Sequence, residues 1–453
     1  MKPQYLLFLC LLAISCNSAG PDHTDAIALQ SVNVIPMDAE RVLENQTVII
    51  QHGRIIAIDD VSKVKIGTGA TVIDAKGKYL IPGLAEMHAH VPPIDDMDPM
   101  KEVLKLYLLN GITTIRGMLG HPQHIELRSK VQSGEVIGPN FYTTGPSFNG
   151  ISVKSPEAGA EMVRNQKAAG YDFLKLHPGL SRAKFDSIAS TANALGIPYV
   201  GHVSFGVGVW RAITAPYSSI DHLDGFIEGM VPGIEEMVEQ EAGPFGAFVA
   251  NRVDVSQIPK LMQALQMQNV WVVPTQSLFE RAFNPKADVE SILQEEEMKY
   301  MTESQMNGWI NARNNWLSNP GFATADTDYF LDLRRNLIYE CQQSGVGLLL
   351  GSDAPQIFNV PGFATHRELE YMVMAGLSPF EALQSGTINV ARYLNREDAG
   401  TIKTGNVAEF VLLDENPLEN ISNTRKVFAI AMGKNWLDKQ TITEMLATLK
   451  KRD

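Results

Sequence analysis

Short β-rich segments alternate with helical segments between residues 84 and 399, and this alternation constrains the fold more than any other feature of the sequence. Strands separated by helices are typical of a parallel α/β architecture. Eight such strands fit a (β/α)8 TIM barrel, in which functional residues lie at the carboxyl ends of the strands. A doubly wound sheet is the alternative, although no Gly-x-Gly-x-x-Gly turn follows an early strand. The predicted strands cover residues 83–90, 113–117, 140–144, 172–177, 199–203, 219–223, 270–274 and 346–351.

Both ends of the chain carry strand and turn signals without a helical period, over residues 26–80 and 408–432. Neither set has enough strands to bury an apolar face alone, so we expect the two ends to combine into one small β-sandwich domain. We expect residues 280–340, which lie between the last two predicted strands, to be helical and to cover the barrel mouth or an interface. The predicted units are residues 21–83 and 400–440 for the β-sandwich, 84–399 for the barrel, and 441–453 for a terminal helix.

The first 20 residues have the pattern of an export signal. Lys2 precedes an apolar run over residues 5–14, and small or polar residues follow it. The segment Ala13-Ile14-Ser15-Cys16 resembles a bacterial lipoprotein signal, which would make Cys16 a lipidated N-terminus followed by a polar tether. The expected location is therefore the periplasm or the outer membrane, with simple secretion as the alternative.

The charge balance restricts the partners. The formal net charge is 38 − 51 = −13, which argues against nucleic acid and leaves no basic patch for a membrane surface. No apolar run reaches 18 residues, so membrane contact is expected only through an N-terminal lipid anchor. We expect a small-molecule substrate, and a homo-oligomer remains open.

Two histidines close the first predicted strand. His88 and His90 follow the Pro82-Gly83 turn and stand two residues apart, so on a strand they share one face and can reach one metal ion. A metal-dependent hydrolase needs nitrogen and oxygen ligands that converge and leave a position for water. His-x-His is a weak signal alone, but its place at a strand end strengthens it.

Three further strands end in a metal-ligating side chain. His202, His222 and Asp353 close the fifth, sixth and eighth predicted strands. Lys175 lies among apolar residues on the fourth, where a charged amine is costly unless it pairs with a carboxylate or has a lowered pKa. A neutral lysine amine can also add carbon dioxide, and the resulting carbamate can bridge two cations.

As a set, these motifs resemble the amidohydrolase superfamily, and within it the imidazolonepropionase-like and Xaa-Pro or Xaa-Arg dipeptidase-like branch. The resemblance runs from about residue 27 to residue 436. The segments that carry it are Pro82-Gly83-Leu84, His88-Ala89-His90, Phe173-Leu174-Lys175-Leu176, Gly201-His202, Asp221-His222, Gly351-Ser352-Asp353, and residues 366–370, 375–383 and 400–414. Glu409-Phe410 and residues 384–387 depart from the usual pattern at packing positions.

The resemblance implies a binuclear metal site in a barrel flanked by a β-sandwich. One ion, usually zinc, would bind His88, His90 and Asp353. A second would bind His202 and His222, with carbamylated Lys175 as the bridge. A metal-bound hydroxide would attack an amide, peptide or cyclic amide carbonyl, and Asp353 would serve as general base and then general acid.

Two other functions remain open from the sequence. A mononuclear deaminase, imidazolone-type hydrolase or lactonase on the same fold would use His88, His90, His202 and Asp353, with His222 orienting the substrate and Lys175 unmodified. A non-catalytic ligand-binding lipoprotein is the third alternative.

Three more residues are candidates for binding the substrate. His177 shares the inward face of Lys175, and either contacts substrate or is an ordinary hydrogen-bonded loop residue. Tyr142 either faces the mouth or fills the barrel. Arg116 either holds a substrate carboxylate or pairs with an acidic neighbour. The sequence does not name the substrate, because specificity lies in the loops of the barrel mouth.

Overall fold

The computed structural model describes residues 22–451, so the predicted signal peptide, the tether and Cys16 lie outside the described residues. The strands are β1 (Ile27–Val34), β2 (Leu43–Gln51), β3 (Arg54–Asp60), β4 (Thr71–Asp74), β5 (Tyr79–Pro82), β6 (Leu84–Ala89), β7 (Ile112–Gly117), β8 (Asn140–Thr143), β9 (Leu174–Leu176), β10 (Tyr199–Gly201), β11 (Ser219–Asp221), β12 (Trp271–Val273), β13 (Glu409–Leu413), β14 (Val427–Met432) and β15 (Asn435–Asp438). The α-helices are α1 (Met97–Leu109), α2 (Pro122–Gln132), α3 (Pro156–Ala169), α4 (Arg182–Leu195), α5 (Val209–Thr214), α6 (Glu239–Ala242), α7 (Ile258–Met267), α8 (Gln276–Leu278), α9 (Val289–Leu293), α10 (Glu303–Leu317), α11 (Thr327–Gln343), α12 (Phe363–Met374), α13 (Pro379–Gly386), α14 (Ile388–Tyr393) and α15 (Lys439–Thr448). Within residues 22–451, no helix is both long enough and apolar enough to cross a bilayer.

Strands from both ends of the chain form one eight-stranded sheet. Its order is β15-β14-β13-β5-β1-β2-β3, and β4 pairs with β1. The two ends meet where β13 runs antiparallel to β5, with Val411 opposite Ile81. Apolar side chains from both ends, such as Leu29 and Phe410, share one buried cluster. This sheet is what the structure shows of the β unit, and a second sheet packed against it remains a prediction.

Seven of the eight predicted parallel strands are formed, as β6 to β12, each within two residues of its predicted bounds. They lie in two parallel sheets, β6-β7-β8 and β12-β11-β10-β9. A backbone bridge between Thr144 and Phe173 connects the first sheet to the second. The carboxyl ends of these strands therefore point toward one edge.

The eighth predicted strand, residues 346–351, is wrong as a regular strand. Only Leu348 forms a bridge, to Val272 of β12, because the Leu350 N–H donates instead to Ser385 O of α13 (3.0 Å). The segment still runs between β12 and β6, since the Met87 N–H donates to Leu350 O (2.7 Å).

The helices that connect the strands begin and end at capping residues. The Ser155 hydroxyl accepts from the Ala158 N–H (3.2 Å) at the start of α3, which ends at Gly170 with φ 85°. Helix α4 likewise follows Ser181 and ends at Gly196 with φ 60°. These caps fix where each strand begins and therefore which residues reach the common edge.

Residues 280–340 are largely helical, as predicted, and include α9, α10 and most of α11. The Phe283 ring stacks on Trp316 with centroids 4.4 Å apart, and it contacts Phe245, which lies in the segment after β11, at 5.7 Å. The Phe245 ring in turn lies 5.7 Å from the His222 ring. The helical segment thus packs around the aromatic residue that adjoins the histidines.

Candidate metal centre and active site

All six predicted metal ligands come together at the carboxyl ends of the parallel strands. His88 lies in β6 and His90 just after it, Lys175 lies in β9, and His202 and His222 directly follow β10 and β11. Parallel strands bring these positions to one edge, which is why local sequence patterns could identify them.

The ligand atoms lie within reach of a common point. One atom each from His88, His222 and Asp353 lie within 4.8 Å of one another. His90 Nε2 lies 2.7 Å and His88 Nε2 3.6 Å from Asp353 Oδ1. Lys175 Nζ lies 3.3 Å from His88 Nε2. The His222 ring lies between those of His88 and His202, with its centroid 4.5 Å from each of theirs.

The cluster fits a divalent metal ion. Asp353 Oδ1 is buried and has no hydrogen bond of acceptable geometry, even though His90 Nε2 is only 2.7 Å away. Buried polar atoms normally have such a partner, so a carboxylate oxygen and an imidazole nitrogen that face each other without a hydrogen bond fit a shared cation. Imidazole nitrogens and a carboxylate oxygen are ligands suited to zinc and similar ions.

Burial keeps His88, His202 and His222 in the neutral form that binds metal. Desolvation, reinforced by the Lys175 ammonium, lowers the pKa of His202 to about 3, and the same two causes lower the pKa of His88 well below its usual value. Desolvation followed by the His202 charge lowers the pKa of His222 as well. Burial also lowers the pKa of Lys175 to about 8, so its amine loses its proton more readily.

Carboxylates behind two of the histidines orient their rings. Asp221 Oδ2 lies 2.8 Å from His88 Nδ1, at ion-pair distance although without hydrogen-bond angles. Asp224 Oδ2 lies 2.9 Å from His202 Nδ1. In His88 this engages Nδ1 and leaves Nε2 toward the centre, an arrangement common around metal-binding histidines. Sequence reasoning missed both acidic residues, although each stands within two positions of His222.

Arg116 does not reach the mouth. It is fully buried, its Nε donates to Met87 O (2.8 Å), and its Nη2 pairs with Asp221 Oδ1 at 3.3 Å. Its Nη1 donates to the Tyr393 hydroxyl (2.9 Å). A role for Arg116 in holding a substrate carboxylate is therefore wrong, and the alternative, pairing with an acidic neighbour, is what the structure shows.

The other two substrate candidates separate. Tyr142 packs against Phe173 and Val200, where burial raises the pKa of its hydroxyl, and with Arg396 and Glu409 it lines a separate cavity that no histidine lines. His177 joins the site: its ring stacks on His202 with centroids 5.1 Å apart, and its Nδ1 lies 2.5 Å from Ser147 Oγ.

Glu86 is a site residue that the sequence analysis missed. Its Oε1 accepts from the His88 and Ser352 N–H groups (3.0 and 2.7 Å). Its Oε2 accepts from the hydroxyls of Ser352 and Thr365 (2.6 and 2.8 Å). This fully buried carboxylate therefore joins β6 to the segment that carries Asp353. Its signal in the sequence was an acidic residue inside an apolar strand.

Both Asp353 and His222 have left-handed backbones, with φ values of 64° and 65°. Residues other than glycine adopt this conformation only when their surroundings hold them there. Glu86 binds the residue before Asp353. The buried guanidinium of Arg334, from α11, donates to His222 O (2.7 Å) and to Pro274 O (3.0 Å). These contacts fix the ligands in position.

The model of the amidohydrolase family matches residues 79–434 of this chain. An adenine deaminase from Chelativorans sp. (strain BNC1) is 26% identical over 223 residues, which are 45% of this chain and 35% of the deaminase. The chain thus spans about a third of the length of the deaminases that it matches. An ochratoxinase from Aspergillus niger is 22% identical over 434 residues, 89% of this chain and 84% of that protein. The crystal structure of a putative prolidase from Bifidobacterium longum superposes with a TM-score of 0.68 at 20% identity, and covers 95% of this chain and 100% of that one, which is a likeness of fold.

Proposed function

The chain belongs to the amidohydrolase family, as its motifs suggested, and from that premise we propose that it is a metal-dependent hydrolase that cleaves a carbon–nitrogen bond in a small molecule. Homologues in this family are hydrolases that act on carbon–nitrogen bonds in small molecules, and members are typically metal-dependent. The observation that carries the proposal is the buried convergence of His88, His222 and Asp353 atoms within 4.8 Å.

We propose that the site holds two zinc ions. His88, His90 and Asp353 would hold one ion, and His202 and His222 the other. The Lys175 amine, with its pKa lowered to about 8, would add carbon dioxide with loss of a proton and bridge the two. When bound, such ions supply a Lewis acid and a water molecule of lowered pKa.

Asp353 would move the proton during hydrolysis. It is almost fully buried among the proposed ligands, where its carboxylate can accept a proton from the attacking water. It would then return that proton to the leaving nitrogen as general acid. His177, stacked on His202, is placed to contact the substrate beside these groups.

The arrangement of the strands supports a closed (β/α)8 barrel. The bridge from Thr144 to Phe173 joins the two parallel sheets on one side. Residues 346–351 join β12 to β6 on the other, through the bridge to Val272 and the hydrogen bond from Met87. We further propose that the eight-stranded sheet belongs to a β-sandwich beside this barrel.

We also propose that the protein is exported and lipidated at Cys16, on the evidence of its first 20 residues alone. Metabolic labelling with a fatty acid tests this. Label in the wild-type protein that is lost in Cys16→Ala is expected, whereas unlabelled wild-type protein would contradict the lipid anchor.

Zinc-supplied protein should be screened against dipeptides, N-acyl amino acids, lactams, lactones and adenine. Turnover of an amide that disappears in Asp353→Asn and persists in Asp74→Asn is expected, because Asp74 is an exposed residue of the eight-stranded sheet. Absence of turnover across the whole panel would contradict the hydrolase. Turnover that survives Asp353→Asn would contradict the role of Asp353, and turnover that depends on Asp353 would exclude a non-catalytic lipoprotein.

A mononuclear deaminase is the second candidate, since adenine deaminases are among the relatives of the chain. It differs from the first proposal in its metal content and product. About one zinc per chain together with ammonia released from adenine would favour it, whereas about two zinc ions per chain and amide cleavage would favour the binuclear hydrolase.

A further inference from the structure

A cavity of about 290 Å³ opens beside the proposed second metal position. Its walls include Asp224, Glu228 and Phe245. The Asp224 carboxylate contacts His202 Nδ1 at 2.9 Å, and the Phe245 ring centroid lies 6.0 Å from that of His202. The cavity therefore adjoins His202, and its lining residues Pro178 and Val203 directly follow His177 and His202 in the chain.

The cavity is acidic and contains an unpaired buried oxygen. Asp224 and Glu228 lie in its wall and Glu239 at its exposed rim, while the residues that line it include no lysine or arginine. Glu228 Oε2 is buried and has no hydrogen-bond partner in residues 22–451. Burial, reinforced by the Asp224 charge, raises the pKa of the Glu228 carboxyl to about 8. A buried acceptor without a donor is unfavourable unless a ligand supplies one.

The backbone around Glu228 is held in place. The Trp210 indole N–H donates to Gly229 O (2.7 Å), and the Asp254 N–H donates to Met230 O (2.9 Å). Gly246 packs against the side chain, where a Cβ atom would lie only 3.1 Å from Glu228 Cδ. The backbone that carries Glu228 is therefore fixed before any ligand arrives, which reduces the ordering cost of binding.

We propose that this cavity is the specificity pocket for a cationic group of the substrate, an ammonium or guanidinium that Glu228 binds with support from Asp224 and Glu239. This inference rests on the proposed hydrolase function. The apolar atoms of Pro178, Val203, Phe205 and Phe245 would contact the aliphatic stem of such a group. A cation in the pocket would favour the ionised form of Glu228, and the carboxylates would then supply the charge that its head requires.

Matched substrates test the pocket. The value of kcat/KM would be measured for N-acyl and dipeptide substrates of arginine against citrulline, and of lysine against norleucine. Charge-assisted hydrogen bonds are worth about 1.5–3 kcal/mol, so the cationic member should be preferred by about tenfold to a hundredfold. Glu228→Gln should lower this ratio by a similar factor. Glu235→Gln removes the same charge from an exposed position outside the cavity and should leave the ratio intact.

A binding measurement separates the pocket from the chemistry. Butylguanidinium and neutral butylurea would be titrated calorimetrically into wild-type protein and Glu228→Gln, with folding of both verified by thermal denaturation. Binding of butylguanidinium that weakens about tenfold or more in Glu228→Gln is expected. Equal affinity for the two compounds, or binding of calcium ions in place of butylguanidinium, would overturn the pocket.

The outcomes distinguish the two proposals. Glu228-dependent binding without hydrolysis of any substrate would retain the pocket and contradict the hydrolase. Hydrolysis of cationic and neutral substrates at equal rates would retain the hydrolase and contradict the pocket.

Discussion

Replacing Glu86 tests whether the metal ligands depend on a buried carboxylate that contacts none of the reacting atoms. In Glu86→Ala, the N–H groups of His88 and Ser352 lose their acceptor. The hydroxyls of Ser352 and Thr365 can rotate to other partners, but the two backbone groups cannot. In Glu86→Gln, one carbonyl oxygen remains for both N–H groups, and the amide can donate to both hydroxyls.

The structure gives the size of the difference. A buried donor left without a partner costs about 1–3 kcal/mol, so two of them predict a loss of about 2–6 kcal/mol of folding free energy for Glu86→Ala. Glu86→Gln keeps the count of hydrogen bonds and exchanges charge-assisted bonds for neutral ones, so the loss should be below about 2 kcal/mol. Glu86→Ala should also weaken zinc binding about tenfold to a hundredfold, because residues that orient ligands have effects of this size.

Two measurements verify these expectations. Denaturant midpoints on metal-free protein report folding stability, and competition with a chromogenic chelator reports zinc affinity. If Glu86→Gln proved as damaging as Glu86→Ala in both, charge rather than acceptor count would be the cause. If Glu86→Ala kept wild-type zinc affinity, Glu86 would not position the ligands.

Three other changes have defined outcomes. Arg116→Met leaves the buried Asp221 carboxylate without its arginine partner, so it should lower folding stability by about 3–5 kcal/mol in denaturant titrations, whereas a change confined to KM would restore a substrate role for Arg116. Elemental analysis should find about one zinc ion per chain in Lys175→Ala, against about two in the wild type. After incubation with ¹³C-bicarbonate, the wild type should show an NMR signal from the labelled carbamate carbon, and Lys175→Ala should not. His366 is buried, and desolvation followed by the Arg425 charge lowers its pKa to about 3, so its unfolded form takes up a proton first as the pH falls below about 6.5. The stability that neutral His366 contributes is therefore complete above pH 6.5 and is lost between about 6.5 and 3. Between pH 6.5 and 3, the unfolding free energy should change with pH less steeply in His366→Gln than in the wild type, by up to about 1.4 kcal/mol per pH unit. Equal slopes in the two proteins would contradict this role of His366.

The convergence of these positions could be predicted from sequence because each of them carries a local pattern. His202 and His222 each follow a short apolar strand, and the carboxyl ends of parallel strands share one edge whatever the loops do. Lys175 was recognisable since a lone lysine among apolar residues needs an explanation. The orienting residues could not be found in this way. The support that Asp221 gives to His88 depends on a contact between residues that lie more than a hundred positions apart in the sequence.

Glu86 shows a second limit, which arises from the strand itself. Strict alternation would place Glu86 on the same face as His88. In β6, Glu86 pairs with Ile115 of β7 and Ala89 pairs with Gly117. The step from Glu86 to Ala89 is three residues, whereas the matching step on β7 is two, so the register shifts by one residue here. A bulge of this kind changes which way the following side chains point.

The consequence is visible on both sides of the shift. Met87 joins the apolar cluster with Val273 and Leu349, while Glu86 bonds Thr365 of α12. His88, within the shifted stretch, and His90, beyond it, both approach Asp353. One short segment thus carries both Glu86, which binds the residue before Asp353, and the two histidines that approach Asp353. Alternation along the sequence could not predict this arrangement, because the register shift lies inside the six-residue strand β6, between Glu86 and Ala89.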